Sequence, residues 1–260
     1  YHGVSGMLMY MQREYRSGVR PNRLQGFSGR FTYDYKHKYL AEFNFGYNGT
    51  ERLAKGDRFE FFPAMSIGWV PSGEDFWEPL QDYINFFKIR GSYGVVGNDE
   101  MDEGAGHFLY VDNVILNGGG YHTGYDGEYS YNGPGFNTLA VEGACWERVN
   151  KLNIGVDIEL FNQLSITFDW FYDHRHKIFM KRGSWPTLLG YFGATPWSNV
   201  GKVDNQGLEL SVNWKKEVIK DLRVDLRGNF TYNKNKFKYY DEPKYETEWT
   251  RKAGLPLSYM

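Results

Sequence analysis

The sequence predicts an all-β fold, an antiparallel up-and-down β-barrel whose strands cross a membrane. Three observations carry that expectation. Apolar and polar residues alternate over arms about ten residues long, tyrosines collect at the ends of those arms, and short and long connections alternate along the chain. Side chains on a strand point alternately to opposite faces, and a tilted strand needs roughly nine to eleven residues to span a bilayer.

The opening hairpin, Gln25 to Asn48, shows the pattern best. Phe27, Gly29, Phe31, Tyr33 and Tyr35 alternate with Ser28, Arg30, Thr32 and Asp34. After Lys36-His37-Lys38 the alternation resumes, with Tyr39, Ala41, Phe43, Phe45 and Tyr47 against Glu42, Asn44, Gly46 and Asn48. Tyr35, Tyr39 and Tyr47 stand where a ring with a polar tip suits a membrane–water boundary.

Taken in order, Val4–Tyr15 is the first strand and Arg16–Leu24, with Gly18, Pro21 and Asn22, a loop. The hairpin follows, then a loop over 49–59. Phe61–Val70 is a strand with Met65, Ile67 and Trp69 on one face and Pro63 at its start. Pro71–Asn85 is a turn with one short helical piece, and Phe87–Val95 is a strand. Val96–Cys145 is a long Gly-rich segment in which Phe108–Leu116 is a candidate strand. Leu152–Leu160 and Leu164–Asp173 form a second clean hairpin around Phe161-Asn162-Gln163. A loop over Ile178–Gln206 precedes the strands Leu208–Trp214 and Leu222–Tyr232, with a turn over 216–221 between them. About nine strands are readable.

Two further features separate a membrane barrel from a soluble sandwich. Alternate connections of an up-and-down sheet lie on opposite rims, and here one rim holds most of the long ones. The face opposite the apolar one carries Arg30, Asp34, Glu42, Arg90, Asp157, Asp169, Glu209 and Arg227, too many charges for a dry core but suited to a wet lumen; a soluble sheet could expose such a face to bulk water, so the loop sorting is the sharper discriminator.

Composition narrows the function. A formal charge of −2 gives no basic field for nucleic acid. With a mean hydropathy of −0.60 and no long apolar run, no transmembrane helix is expected, although alternating strands average to a polar score. The single cysteine, Cys145, forms no internal disulfide. The chain starts without an initiator Met or signal peptide and is read as an internal piece of a longer one.

No catalytic constellation emerges, and no cofactor or metal is expected. His174 and His176 share a face without a third ligand placed by spacing. Asp99, Glu100, Asp102 and Glu103 lack calcium-loop spacing, and Gly118-Gly119-Gly120 does not link a strand to a helix. The candidates for ligand contact are loop aromatics: Tyr121, Tyr125, Tyr129 and Tyr131, then Trp185, Tyr191, Phe192 and Trp197. Flat rings stack on sugar faces or peptide side chains. The plain alternative is that they pack loops against one another or a lid.

Several stretches are also similar to the SusC/RagA family of TonB-dependent outer-membrane transporters. They are FSGRFTYDYKHKYLAEFNFGYNG, RFEFFPAMSIGWV, FFKIRGSYGVVGND, WERVNKLNIGVDIELFNQLSITFDWFYDHRHKI, NVGKVDNQGLELSVNW and LRGNFTYNKNKF, in the family's order. The resemblance implies a many-stranded outer-membrane barrel around an N-terminal plug, capped by a SusD-like surface lipoprotein. It also implies import of oligosaccharides or peptides, energised through TonB. Residues 1–260 would be part of a single barrel domain, with the plug, the TonB-interacting segment and the closing strands outside it. The alternatives kept open are a secreted or periplasmic β-rich glycan-active enzyme or binding protein, and a passive porin or adhesin.

Overall fold

The computed structural model describes residues 1–17, 20–101, 107–186, 188, 195–219, 222–245 and 247–259. Among these residues nine strands form one antiparallel sheet: β1 (His2–Ser17), β2 (Arg20–Tyr35), β3 (Tyr39–Thr50), β4 (Phe59–Trp69), β5 (Ile84–Asn98), β8 (Glu147–Leu160), β9 (Leu164–Lys181), β10 (Trp197–Ile219) and β11 (Leu222–Tyr239). Each pairs with its neighbour in chain order, apart from one excursion between β5 and β8. There, β6 (Asn113–Thr123) and β7 (Tyr129–Thr138) form a separate hairpin.

Two tight turns set the register. Lys38 N–H donates to Tyr35 O at 3.0 Å, with Lys36 and His37 at φ 50° and 54°. Gln163 N–H donates to Leu160 O at 3.0 Å, with Phe161 and Asn162 at φ 54° and 53°. Two successive positive φ values are the turn whose twist matches that of paired strands, which outweighs the strain on non-glycine residues.

The connections at that rim are 36–38, 70–83, 161–163 and 220–221; those at the other are 18–19, 51–58, 99–146 and 182–196. The bulk therefore gathers on one rim. The expected loop over Arg16–Leu24 is instead strand, with Tyr15 paired to Asn22 and Arg16 to Pro21. β3 reaches β2 only up to Leu24–Thr50, so Pro21 removes no ladder bond on that side. Pro63 lies inside β4 where the ladder to β5 ends, at Ala64–Gly94.

The expected loop over Ile178–Gln206 shrinks to 182–196, because β9 and β10 continue through register shifts at Asn199/Gly201 and Gly201/Val203. Lys177, at φ 57°, lies beside them. A bulge flips the face that each following residue presents, so period-2 reading fails there. The β6–β7 hairpin replaces the candidate strand Phe108–Leu116, overlapping only its end. Its own register shifts around Gly118 and Gly120 remove any alternation to read.

A small dry core sits at the long-connection rim rather than in the sheet. Leu53, Phe62, Met101, Leu109, Val141, Ala144, Trp146, Phe179 and Trp197 pack there, drawn from two connections and three strand ends.

Candidate functional site

The register sorts side chains into rows across the whole sheet. One row runs Val4, Tyr33, Ala41, Ile67, Gly91, Ile154, Trp170, Leu208, Tyr232. The next runs Gly6, Phe31, Phe43, Met65, Tyr93, Leu152, Tyr172, Gln206, Lys234. That second row begins amid apolar residues on β1 to β4 and ends on polar ones at β10 and β11. A row perpendicular to tilted strands climbs in this way, which is the stagger a barrel requires. On this face large apolar side chains stand exposed, Ile67 at 60% and Phe230 at 62%.

The opposite face is polar. Arg30, Asp34, Glu42, Arg90, Asp157, Asp169, Glu209 and Arg227 all fall on it by register. Their roles differ. Arg30 pairs with Glu42 at 2.6 Å, and Asn44 Nδ2 donates to the same carboxylate at 2.6 Å. Arg90 reaches across β8 to Asp169 at 2.6 Å, with Asp157 at 3.2 Å and Asn153 at 3.3 Å. Gly155 makes that crossing possible, because a Cβ there would stand 2.6 Å from the Arg90 guanidinium carbon. Asp34 serves the turn instead: it accepts the His37 N–H at 2.7 Å and lies 2.6 Å from the His37 ring. Arg227 pairs with Asp225 at 3.2 Å, and Glu209 is exposed.

Where the polar face meets the long-connection rim there is a cavity of about 560 Å³. Lys151, Asp173, Arg175, Lys181, Asn205, Asn233 and Asn235 supply its polar wall, and Phe179, Trp197, Phe237 and Tyr240 its rings. Asn205 Nδ2 lies 3.4 Å from Asp173, while its Oδ1 is buried with no protein partner. A buried acceptor without a partner is costly, so it is a natural place for a ligand hydroxyl or amide to bind. Sequence reasoning missed this site. Asn205 fell in the expected loop and Asn233 and Asn235 beyond the last expected strand, although their alternation with Lys234 and Lys236 was the signal.

Among the described residues, the loop aromatics do not converge on it. Tyr121 and Tyr131 stack at 5.4 Å on the separate hairpin, Tyr129 is exposed beside them, and Tyr125 is fully exposed between β6 and β7. Trp185 lies half-exposed in the 182–196 connection. Trp197 belongs to β10, not to a loop, and is 7% exposed, stacked on Phe179 at 5.3 Å with 6° between planes. It touches the cavity only as part of the dry core. Tyr191 and Phe192 lie outside the described residues, as do Asp102 and Glu103 of the acidic loop.

The rim around the cavity is cross-tied. Asn199 donates to the Cys145 and Lys177 carbonyls at 2.8 and 2.9 Å and accepts the Cys145 N–H at 3.1 Å. Burial pushes the Cys145 thiol above its usual pKa, as suits a packed residue rather than a nucleophile. Trp146 Nε1 donates to Arg58 O at 2.9 Å, and Arg52 to the Asp99 and Met101 carbonyls at 3.2 and 3.1 Å. Arg182 and Ser184 hold Asp241 at 2.7 and 2.9 Å. Burial raises the Asp241 pKa, but those partners outweigh it and leave the carboxyl below its ordinary range.

Comparison with known proteins fits this geometry. The family model for the TonB dependent receptor-like β-barrel matches residues 15–259. TonB-dependent receptor P3 of Formosa agariphila is 28% identical over 240 residues, covering 91% of this chain and 22% of that relative. TonB-dependent receptor SusC of Bacteroides thetaiotaomicron is 28% identical over 228 residues, covering 86% of this chain and 22% of that relative. The chain thus spans about a fifth of the length of these curated relatives. Among solved structures, the RagAB peptide importer in its open-open state matches with a TM-score of 0.75 at 17% identity, over 92% of this chain and 28% of that one. The siderophore receptor PirA of Pseudomonas aeruginosa matches at 0.54 and 12%, over 91% and 40%.

Proposed function

This chain belongs to the TonB-dependent receptor-like β-barrel family, and from that premise we propose that it forms one part of the wall of an outer-membrane nutrient importer. The apolar face meets lipid, and the polar face lines the lumen. The two edges of the sheet support a larger barrel. Among the described residues β1 and β11 each have one edge without a partner strand, apart from Phe237 of β11, which exchanges backbone bonds with Leu255 and Gly254, and inside a bilayer every backbone donor and acceptor must be satisfied. Further strands would complete residues 1–260 into a single barrel around a plug supplied from elsewhere in the protein.

The cavity carries the reading of substrate class. Three carboxamides, three cations and a carboxylate beside aromatic rings suit an oligosaccharide or a peptide, each rich in groups that both donate and accept. In this reading the long-connection rim faces outward and receives substrate beneath a SusD-like surface lipoprotein. TonB, acting through a region outside this chain, would supply the energy. The relatives are receptors by name, which sets the glycan-enzyme reading aside.

The test is uptake by cells making the membrane-embedded protein, with Asn205→Ala and Asn235→Ala as variants and oligosaccharide and peptide pools as substrates. Import that needs TonB and falls about tenfold in the double variant is expected, from the loss of roughly 1.4 kcal/mol of binding. TonB-independent passage would favour a passive porin.

A further inference from the structure

Above the apolar band, the lipid-facing side of β9 to β11 turns cationic. On β11 the outward positions that follow Tyr232 are Lys234 and Lys236, paired to Gln206 and Asp204 of β10. Asp204 is paired in turn to His174 of β9. Lys238 joins them, with its Nζ 3.4 Å from Asp204 Oδ2, and Lys202 of β10 is paired beside it to Tyr239. Asp204 is the patch's acidic group. It is 6% exposed, and its oxygens are engaged by His174 at 2.7 Å and by Lys238. Lys202, Lys234 and Lys236 are exposed and carry no ion pair among the described residues.

Position decides what such a patch meets. A strand rises about 3.3 Å per residue, so Lys234 stands roughly 7 Å along the strand from Tyr232, at headgroup depth once tilt is allowed for. Lysine stems lie along apolar surface while the ammonium reaches into the polar layer. On a barrel wall this height is occupied by lipid headgroups, and unpaired cations there are complementary to phosphate.

We propose that Lys202, Lys234 and Lys236, with Lys238 and His174 around Asp204, form a binding site for the phosphorylated headgroup of an outer-leaflet lipid. The inference rests on the outward orientation of β9 to β11. It would fail separately from the import reading, because uptake and lipid retention are read independently.

The experiment uses the membrane-embedded protein carrying these strands, in nanodiscs of phosphatidylcholine doped with a bis-phosphorylated lipid A or with its dephosphorylated form. Native mass spectrometry counts the lipid retained after mild extraction. The wild type is expected to retain the phosphorylated form about fivefold better. Lys202→Gln/Lys234→Gln/Lys236→Gln should abolish the preference, and the triple Arg variant should keep it. None of the three lysines ties down the fold, so the Gln variant should retain heat-modifiable gel mobility. Equal retention of the two lipids by the wild type would overturn the proposal without any variant. So would an undiminished preference in the Gln variant, or complete displacement of the lipid by free inorganic phosphate.

Discussion

The wall and the rim of this chain are held together by opposite means. In the wall, large apolar side chains such as Phe43, Ile67 and Phe230 stand exposed on one face while charges line the other. Its cohesion lies in the backbone ladders and in cross-strand ties such as Arg90 to Asp169. At the rim the logic is that of a soluble protein. Leu53 and Leu109 are 0% and 1% exposed, and side chains satisfy the carbonyls of the irregular backbone around them. The wall takes its solvent as part of the design. The rim must exclude its own.

That contrast can be broken from either side. The largest effect is expected at the rim: Leu109→Ala opens a cavity in a fully packed site and should cost about 2–5 kcal/mol of rim stability. Hydrogen exchange should show deprotection over 51–58 and 139–146, with the ladders of β2 and β3 unchanged. In the wall, Phe168→Arg places a charge on the lipid face and should cost about 2–4 kcal/mol in reversible unfolding from vesicles. The same change at Thr167, one residue along on the polar face, should cost under about 1 kcal/mol.

Gly155→Ala sharpens the picture of the wall's polar side. Its Cβ would displace the Arg90 guanidinium and leave Asp169, already with one oxygen unpartnered, without its cation. A loss of about 1–3 kcal/mol is expected in the same unfolding measurement. The smallest effect is a pH dependence of the rim. The folded Asp241 carboxyl titrates below the ordinary 3.8, so its contribution is fully present above that value and is lost as pH falls through the folded pKa. Proteolysis at 182–186 should therefore accelerate only in that acid window, and Asp241→Asn should remove the step while weakening the rim at every pH.

The same contrast explains what the sequence made legible. The hairpin from Gln25 to Asn48 and that around Phe161-Asn162-Gln163 were readable because every residue faces lipid or water, and alternation states which. The rim was not. Leu53, Met101, Trp146 and Trp197 meet only through long-range contacts that no period encodes, and Trp197 read as a loop ring because bulges near Gly201 erase the strand pattern around it. The cavity was half visible. Asp173 sat on a readable strand, whereas Lys151 lay just before one and Asn205, Asn233 and Asn235 lay outside the expected strands.

Depth-resolved lipid exposure is the most direct test of the central claim that one face of this sheet meets lipid and the other water. In a Cys145→Ser background of the membrane-embedded protein, single cysteines at Phe43, Ile154, Phe168 and Val212 would carry a lipid-quenchable probe. Their sequence neighbours Asn44, Asn153, Thr167 and Asn213 would carry it in turn. Quenching by lipid at the first four and by aqueous quencher at the second four is the predicted result. Two sets that behave alike, both as soluble surface or both as dry interior, would contradict it.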